Sequence, residues 1–453
     1  MCYFKNGILF QVKITYIKSA TVLLESNGVK ILTDPWLVDG EYYGSWYHYP
    51  KLELKKEFFE NIDFIYLSHI HPDHFSRKTF QLLNKNIPVL IHRYESKFLK
   101  DNLERLGFKA IELEHNKRTH LKNGVHINIL AADNCNPELC AKLLGCGIVE
   151  TKFGSTQIDS LCVIDNGEFT LVNTNDCLYS LAKDCINIIK KTNPKIDLLL
   201  VGYAGAGPYP QCFKMPENKK TEEADKKIKQ FLDHGLKYIH ELNPEFVLPF
   251  AGTYVLGGKL SALNKYRGVP EIEHAADYFA NNASSKVILM NSYENFDLKN
   301  KTFSKPYEKT DFAKKENYIH NILPEKLMDY EHEKKPSIEE LIPLLEKAYL
   351  RFELKRKEIS YGTETKVLIR LDEQHWYSIS GDGSGIGLID NEKKEKIKKF
   401  ISYELDIRLL KNLLLGPRYA HWNNAEVGSH VQYERVPNVY ERGLYHSMCF
   451  FHS

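Results

Sequence analysis

The sequence predicts an α/β protein with a smaller α+β unit behind it. Three observations predict it. Short apolar runs alternate with amphipathic helical stretches across most of the chain, the pattern of a sheet covered by helices. The run 62–67 breaks directly into Ser68-His69-Ile70-His71-Pro72-Asp73-His74, which crowds three histidines and an aspartate into one loop. A polar, lysine-rich stretch over 295–335 then separates this region from a second set of helix and strands. The expected division is 1–294 as a catalytic domain, 295–335 as a linker or excursion, and 336–453 as a C-terminal α+β domain.

Taken in order, 8–17 and 21–25 alternate as strands, and Asn27-Gly28 is a hairpin turn because both residues tolerate positive φ. The return strand 29–33 ends at Asp34-Pro35-Trp36. The segment 38–50 carries Tyr42, Tyr43, Trp46, Tyr47 and Tyr49, and reads either as a substrate-facing lid or as packing. After the histidine loop come a helix (77–83), a strand (87–91), a helix (95–106) and strands at 110–113 and 126–130. A hairpin follows over 161–165 and 168–173 through Asn166-Gly167, and its second strand ends at Thr174-Asn175-Asp176-Cys177. The buried strand 196–201 opens into Gly202-Tyr203-Ala204-Gly205-Ala206-Gly207-Pro208-Tyr209. Its glycines permit close approach to a ligand, and Tyr203 and Tyr209 can stack or donate. No Gly-Lys-Ser/Thr follows, so it is not a phosphate-binding P-loop. A long helix (221–242) and a strand (245–250) complete the first region. Beyond 335, Ser337-Ile338-Glu339-Glu340 opens a helix over 337–357, a hairpin spans 367–371 and 376–379, and an amphipathic helix over 405–415 stops at Gly416-Pro417.

Totals narrow the function classes. The chain has 453 residues, enough for two or more cores. A net charge of +2 with 26% charged residues gives no basic face, so no nucleic-acid polymer is expected as partner. Nine cysteines do not form a disulfide framework pattern, no leader with a basic start and a long apolar run is visible, and no apolar run reaches the ~20 residues of a membrane span. The expected compartment is the cytoplasm. Oligomeric state is not readable.

Neutral imidazole and carboxylate are the usual ligands of zinc and non-haem iron, and one or two ions are expected here. Histidines two apart converge on one point only from an irregular turn, and Pro72 argues against helix. His69, His71, Asp73 and His74 are therefore metal candidates, with Asp73 and His74 able to act as base and proton shuttle if a second ion is absent. Asp34 is either a partner of a ligand histidine or a cap on its turn. Cys135, Cys140 and Cys146 match no iron–sulfur spacing, and read as buried thiols or as one ligand. In the last stretch, His421, Asn423, Asn424 and Glu426 either touch substrate, complete the metal site, or satisfy a buried polar network.

The loop His69-Ile70-His71-Pro72-Asp73-His74 after its strand resembles the metallo-β-lactamase superfamily. With Asp-Pro-Trp at 34–36, Asn173-Thr174-Asn175-Asp176-Cys177, the 202–213 loop and Pro249-Phe250-Ala251-Gly252 in this order, the chain is similar to the catalytic region of the CMP-N-acetylneuraminate hydroxylase family. The resemblance implies an αββα sandwich, one ion on His69 and His71, a second on Asp73 and His74, and Asp176 bridging them. It implies a substrate that is a nucleotide sugar or a surface-glycan precursor. The small domain looks sterol-carrier-like. Two histidines of the hydroxylase pattern are replaced, one by Asn136 and one near Leu256-Gly257-Gly258, so Asn136 or Cys135 is expected to fill a ligand position. No Rieske cluster module precedes the fold, so an oxygenase would draw electrons from a separate redox partner. The first expectation is a hydrolase using a metal-bound hydroxide on a small-molecule substrate. An iron oxygenase held by His69, His71 and Asp176 is the alternative, and a non-catalytic binding protein is the third reading.

Overall fold

Strand faces decide the architecture. In Leu198–Gly202, Leu198 and Leu200 point into one apolar cluster while Leu199 and Val201 point into another. Ile31 and Tyr66 likewise face the first cluster, and Leu32 and Ile65 a third. Strands apolar on both faces must be covered on both sides, and this chain solves that with two stacked sheets and outer helices. The structure is a computed structural model that describes residues 12–94, 97–131 and 159–453.

The first sheet has eight strands, in spatial order Thr302–Phe303, Asn295–Asp297, Val12–Lys18, Thr21–Ser26, Val29–Thr33, Phe64–Tyr66, Val89–His92 and Ala110–Leu113. The second has seven, in order Lys286–Val287, Phe246–Phe250, Leu198–Gly202, Thr170–Asn173, Ser160–Asp165, Val125–Ala131 and Thr119–Lys122. Val12, Ile14, Leu90, Ile127, Leu198 and Leu248 fill the space between them. Helices Arg77–Phe80 and Phe98–Arg105 cover the outside of the first sheet, and Lys183–Thr192, Glu217–Leu242 and Ile272–Asn282 the outside of the second. This is the αββα sandwich of the metallo-β-lactamase fold.

Asn27 and Gly28 turn the first hairpin with φ of 50° and 74°. The stretch over 295–335 does not hang free, because Asn295–Asp297 pairs antiparallel with the first strand through Thr15↔Asn295. Lys299, Lys301 and Lys305 are exposed while Phe296 plugs the inter-sheet core, so charge composition alone hid a strand. The helix Lys183–Thr192 and the helix Ile272–Asn282 were also not read from the sequence; both are short, and each buries only a narrow stripe.

The C-terminal region forms a five-stranded sheet, ordered Ile386–Asp390, His375–Ser380, Lys366–Arg370, Phe400–Glu404 and Gln432–Val436. The helix Ile338–Glu358 starts at the capping box of Ser337 and Glu340. Leu341, Leu345, Val367, Ile401 and Leu410 share one core with Trp36, Tyr42, Trp46 and Tyr254 of the sandwich. Trp46 stacks on Tyr254 at 3.5 Å and 4°, and Tyr42 lies 4.5 Å from Trp46. The aromatic segment 38–50 is thus clamped between the two regions. His430 bolts it down, with its ring on the Tyr42 carbonyl at 2.7 Å and on the Tyr330 hydroxyl at 3.1 Å.

Candidate metal centre

The strand Phe64–Tyr66 delivers the histidine loop to one edge of the sandwich. Asp34, at the end of the neighbouring strand, organises the loop from below. It is fully buried, takes a positive φ of 37°, and its carboxylate accepts from the Ser68 amide at 2.7 Å and the Ser68 hydroxyl at 2.7 Å. The same carboxylate meets His74 Nδ1 at 2.9 Å. This fixes the imidazole with Nδ1 protonated and Nε2 turned inward. Ser68 Oγ also meets His69 Nδ1 at 2.9 Å, leaving His69 Nε2 free to face the same point.

Two groups of ligand atoms form there, each with all its atoms within 4.8 Å of one another: His69, His71 and Asp159, and His69, His74 and Asp176. His69 Nε2 is 3.1 Å from Asp159 and 2.8 Å from His71 Nδ1. His74 Nε2 is 3.3 Å from Asp176 and 3.6 Å from Asp73. Asp73 is held by the Tyr42 hydroxyl, which donates at 2.5 Å. Asp176 follows a turn in which Asn175 takes φ 46° and its amide donates to the Ser160 carbonyl at 2.8 Å and to Tyr66.

Electrostatics show what the cluster wants. Burial pushes the Asp159 carboxyl well above the usual range, and Asp176 pushes it further. Burial likewise raises Asp73. Burial alone would depress His74, but Asp176, Asp73 and Asp34 outweigh it and hold the imidazole well above its ordinary value. His69 is pushed well down by burial, then by His74 and His71, and so stays neutral with a lone pair to give. Carboxylates crowded around one imidazolium are what a divalent cation relieves, and the imidazole and carboxylate donors suit zinc or non-haem iron. The residues present fit a metal.

Asp159 was not singled out from the sequence, where nothing separates it from other aspartates at strand starts. It reaches the centre because Ser160 pairs with Ala131, which puts residue 159 at the sheet edge beyond Ala131 where a ligand was sought. Ser160 Oγ, bonded to the Ser68 carbonyl at 3.0 Å, ties that strand end to the histidine loop. Cys135 and Asn136, expected to supply that ligand, lie outside the described residues, as do Cys140 and Cys146.

Of the other candidates, Asn423 arrives from the C-terminal region, with Oδ1 3.2 Å from His71 Nε2. His421 caps its helix, accepting the Asn423 amide at 3.2 Å, while Tyr43 Oη accepts the His421 amide at 2.8 Å. Burial pushes the His421 ring down to about 4, so it is neutral. Glu426 accepts the Tyr433 hydroxyl at 2.8 Å. Tyr203 is fully buried, with its hydroxyl 3.0 Å from Thr253 Oγ1, and faces the interior. Gly205 lies on the ring of Phe231, where a Cβ would fall 1.9 Å from the ring. Tyr209 lines an open cleft on that side and donates to Glu223 at 2.8 Å.

Residues 13–131 match the model of the beta-lactamase superfamily domain. The chain is 28% identical over 267 residues to a protein of Mycolicibacterium smegmatis named as a Rieske 2Fe-2S iron-sulfur protein, covering 57% of this chain and 47% of that one. It is 24% identical over 269 residues to the cytidine monophosphate-N-acetylneuraminic acid hydroxylase of Asterias rubens, covering 54% of this chain and 35% of that one. It therefore spans about half the length, or less, of these relatives. An isothiocyanate hydrolase from Delia radicum gut bacteria superposes with a TM-score of 0.46 at 16% identity, over 65% of this chain and all of that one. Among the described residues no helix is long and apolar enough to cross a membrane.

Proposed function

We propose that this chain is a non-haem iron oxygenase acting on a small molecule of the nucleotide-sugar or glycan-precursor type. The observation that carries the reading is the donor set: both ligand groups are two histidines and one carboxylate, the composition that leaves open positions for oxygen and substrate. His69 belongs to both groups and turns one nitrogen, Nε2, to the centre, so an ion on one group leaves the other needing Asp73 or a further donor. When bound, iron supplies the redox chemistry; zinc in the same place would supply an acidified water.

The chain's own residues set the surroundings. Asp34 holds His74, Tyr42 holds Asp73, and Asn423 holds the His71 ring, so three elements distant in sequence keep the donors aimed. Trp46, Tyr254 and the C-terminal core wall off solvent on one side. Hydroxylation of a C–H bond by O2 consumes two electrons and two protons and releases water. The electrons would come from a separate reduced iron–sulfur protein, a reading supported by the Rieske and hydroxylase names of the relatives. Hydrolysis is the second reading. It is favoured by Asp73, whose buried carboxyl is pushed toward its protonated form beside His74 and could carry a proton to a leaving group.

The test is the metal content of protein expressed without added metal, with His71→Ala and Asp159→Asn alongside. Iron in the wild type, lost in His71→Ala and reduced in Asp159→Asn, supports the oxygenase. Zinc without iron supports hydrolysis. Full metal in His71→Ala refutes the centre.

A further inference from the structure

The loop 203–213 and the long helix Glu217–Leu242 line an open cleft of about 340 Å³. It is lined by residues 206–209, Glu223, Lys226, Lys227 and Phe231. Lys226 is neutralised by Glu223 at 2.7 Å. Lys227 is not neutralised by anything described. Lys227 is half-buried, and its ammonium donates to two backbone carbonyls, Tyr209 at 3.1 Å and Arg267 at 3.2 Å. An ammonium has three protons to give, so one donor position is left over.

Arg267 itself is buried, bonds the Tyr254 carbonyl, and leaves its Nε without a partner. Arg267 lies over the Tyr254 ring at 4.8 Å and feels Glu271, whereas Lys227 has no ion-pair partner among the described residues; a poorly solvated ammonium beside another cation is costly unless an anion completes it. Burial, and then Arg267, pushes Lys227 down to about 7. The cleft is next door to the metal centre. Phe231 lines it and also lines the small recess that holds Asp176, Gly202 and His234. Only glycine at 205 lets the loop lie on that ring.

We infer that this cleft is an anion-binding subsite, in which the Lys227 ammonium holds a phosphoryl or carboxylate group of the substrate while the remainder passes Phe231 toward Asp176. The inference deepens the proposed function, since it places the charged end of the substrate one aromatic ring away from the centre. A strongly hydrated point charge such as lysine suits a phosphoryl group without demanding planar, two-point geometry.

Calorimetric titration of the full chain with inorganic pyrophosphate and, separately, with succinate tests it. Lys227→Met is expected to weaken binding at least about tenfold, the order of one charge-assisted hydrogen bond, with metal content unchanged. Lys226→Gln, at the exposed pair, is expected to change it less than about threefold. Asp176→Asn, with reduced metal, should still bind the anion, which separates this site from the centre itself. Binding of pyrophosphate alone assigns a phosphoryl group, and of succinate alone a carboxylate. Equal affinity in wild type and Lys227→Met, or binding that disappears with the metal in Asp176→Asn, overturns the subsite while leaving the metal reading intact. Absence of binding by both anions overturns it as well.

Discussion

Replacing Asp34 by asparagine tests how the centre is held together. The carboxylate makes three contacts, to the Ser68 amide, the Ser68 hydroxyl and His74 Nδ1, at 2.7, 2.7 and 2.9 Å. An amide keeps one oxygen for the Ser68 N–H. Its NH2 then occupies the other position. The Ser68 hydroxyl can rotate to accept from it, but the His74 Nδ1–H cannot, and two donors face each other in a fully buried site. In the neutral ring that would bind a metal, the proton is therefore placed on Nε2, the nitrogen that faces Asp176 at 3.3 Å and Asp73 at 3.6 Å. One charge-assisted hydrogen bond is lost, about 2–3 kcal/mol of stability. The misprotonated ligand costs roughly 10–100-fold in metal affinity. Zinc(II) titration by competition with a chromophoric chelator, anaerobic iron(II) titration and thermal melts read both quantities. A folded Asp34→Asn that binds metal as the wild type does would refute the argument that Asp34 sets the His74 tautomer.

Two further outcomes are expected. Glu41 is buried under Ser76, whose hydroxyl donates to it at 2.6 Å, and burial lifts its carboxyl from 4.5 to about 7. Between those values the folded state keeps a proton that the unfolded chain has lost, so this group's stabilisation is present at low pH and disappears as pH rises through about 7. Glu41→Gln should therefore gain on the wild type, by up to ~3 kcal/mol in urea unfolding at about pH 8 and little at about pH 5; a pH-independent difference contradicts it. Asn423→Ala removes the 3.2 Å contact to the His71 ring from a half-buried position. Metal affinity should fall by about tenfold with the melting temperature nearly unchanged; unchanged affinity would mean that His71 is oriented without the C-terminal region.

The fold was legible because period-2 apolar patterning and turn residues act locally. Asn27-Gly28 needs positive φ wherever the rest of the chain goes, and Leu198 to Val201 must be covered on both faces in any structure that buries them. The loop His69 to His74 was legible because its spacing is local too, and so was the capping box at Ser337. The strand Asn295–Asp297 was not legible, since one phenylalanine in a lysine-rich run decides it and composition averages that residue away.

Convergence of distant residues was not local, and tertiary structure alone decided it. Asp159 joins His69 only because strand Ser160–Asp165 pairs in one register with Val125–Ala131; a slip of one residue would turn the strand's side chains to the other face. Asn423 meets His71 across 352 positions of sequence, because a shared aromatic core presses the C-terminal sheet onto the edge of the sandwich. The unpaired charge of Lys227 is equally invisible in sequence, where it stands among lysines and glutamates that pair with one another. A side chain's identity is written in the chain, but its partners depend on which surfaces are pressed together, and burial then sets the strength of each charge by removing the water that would screen it.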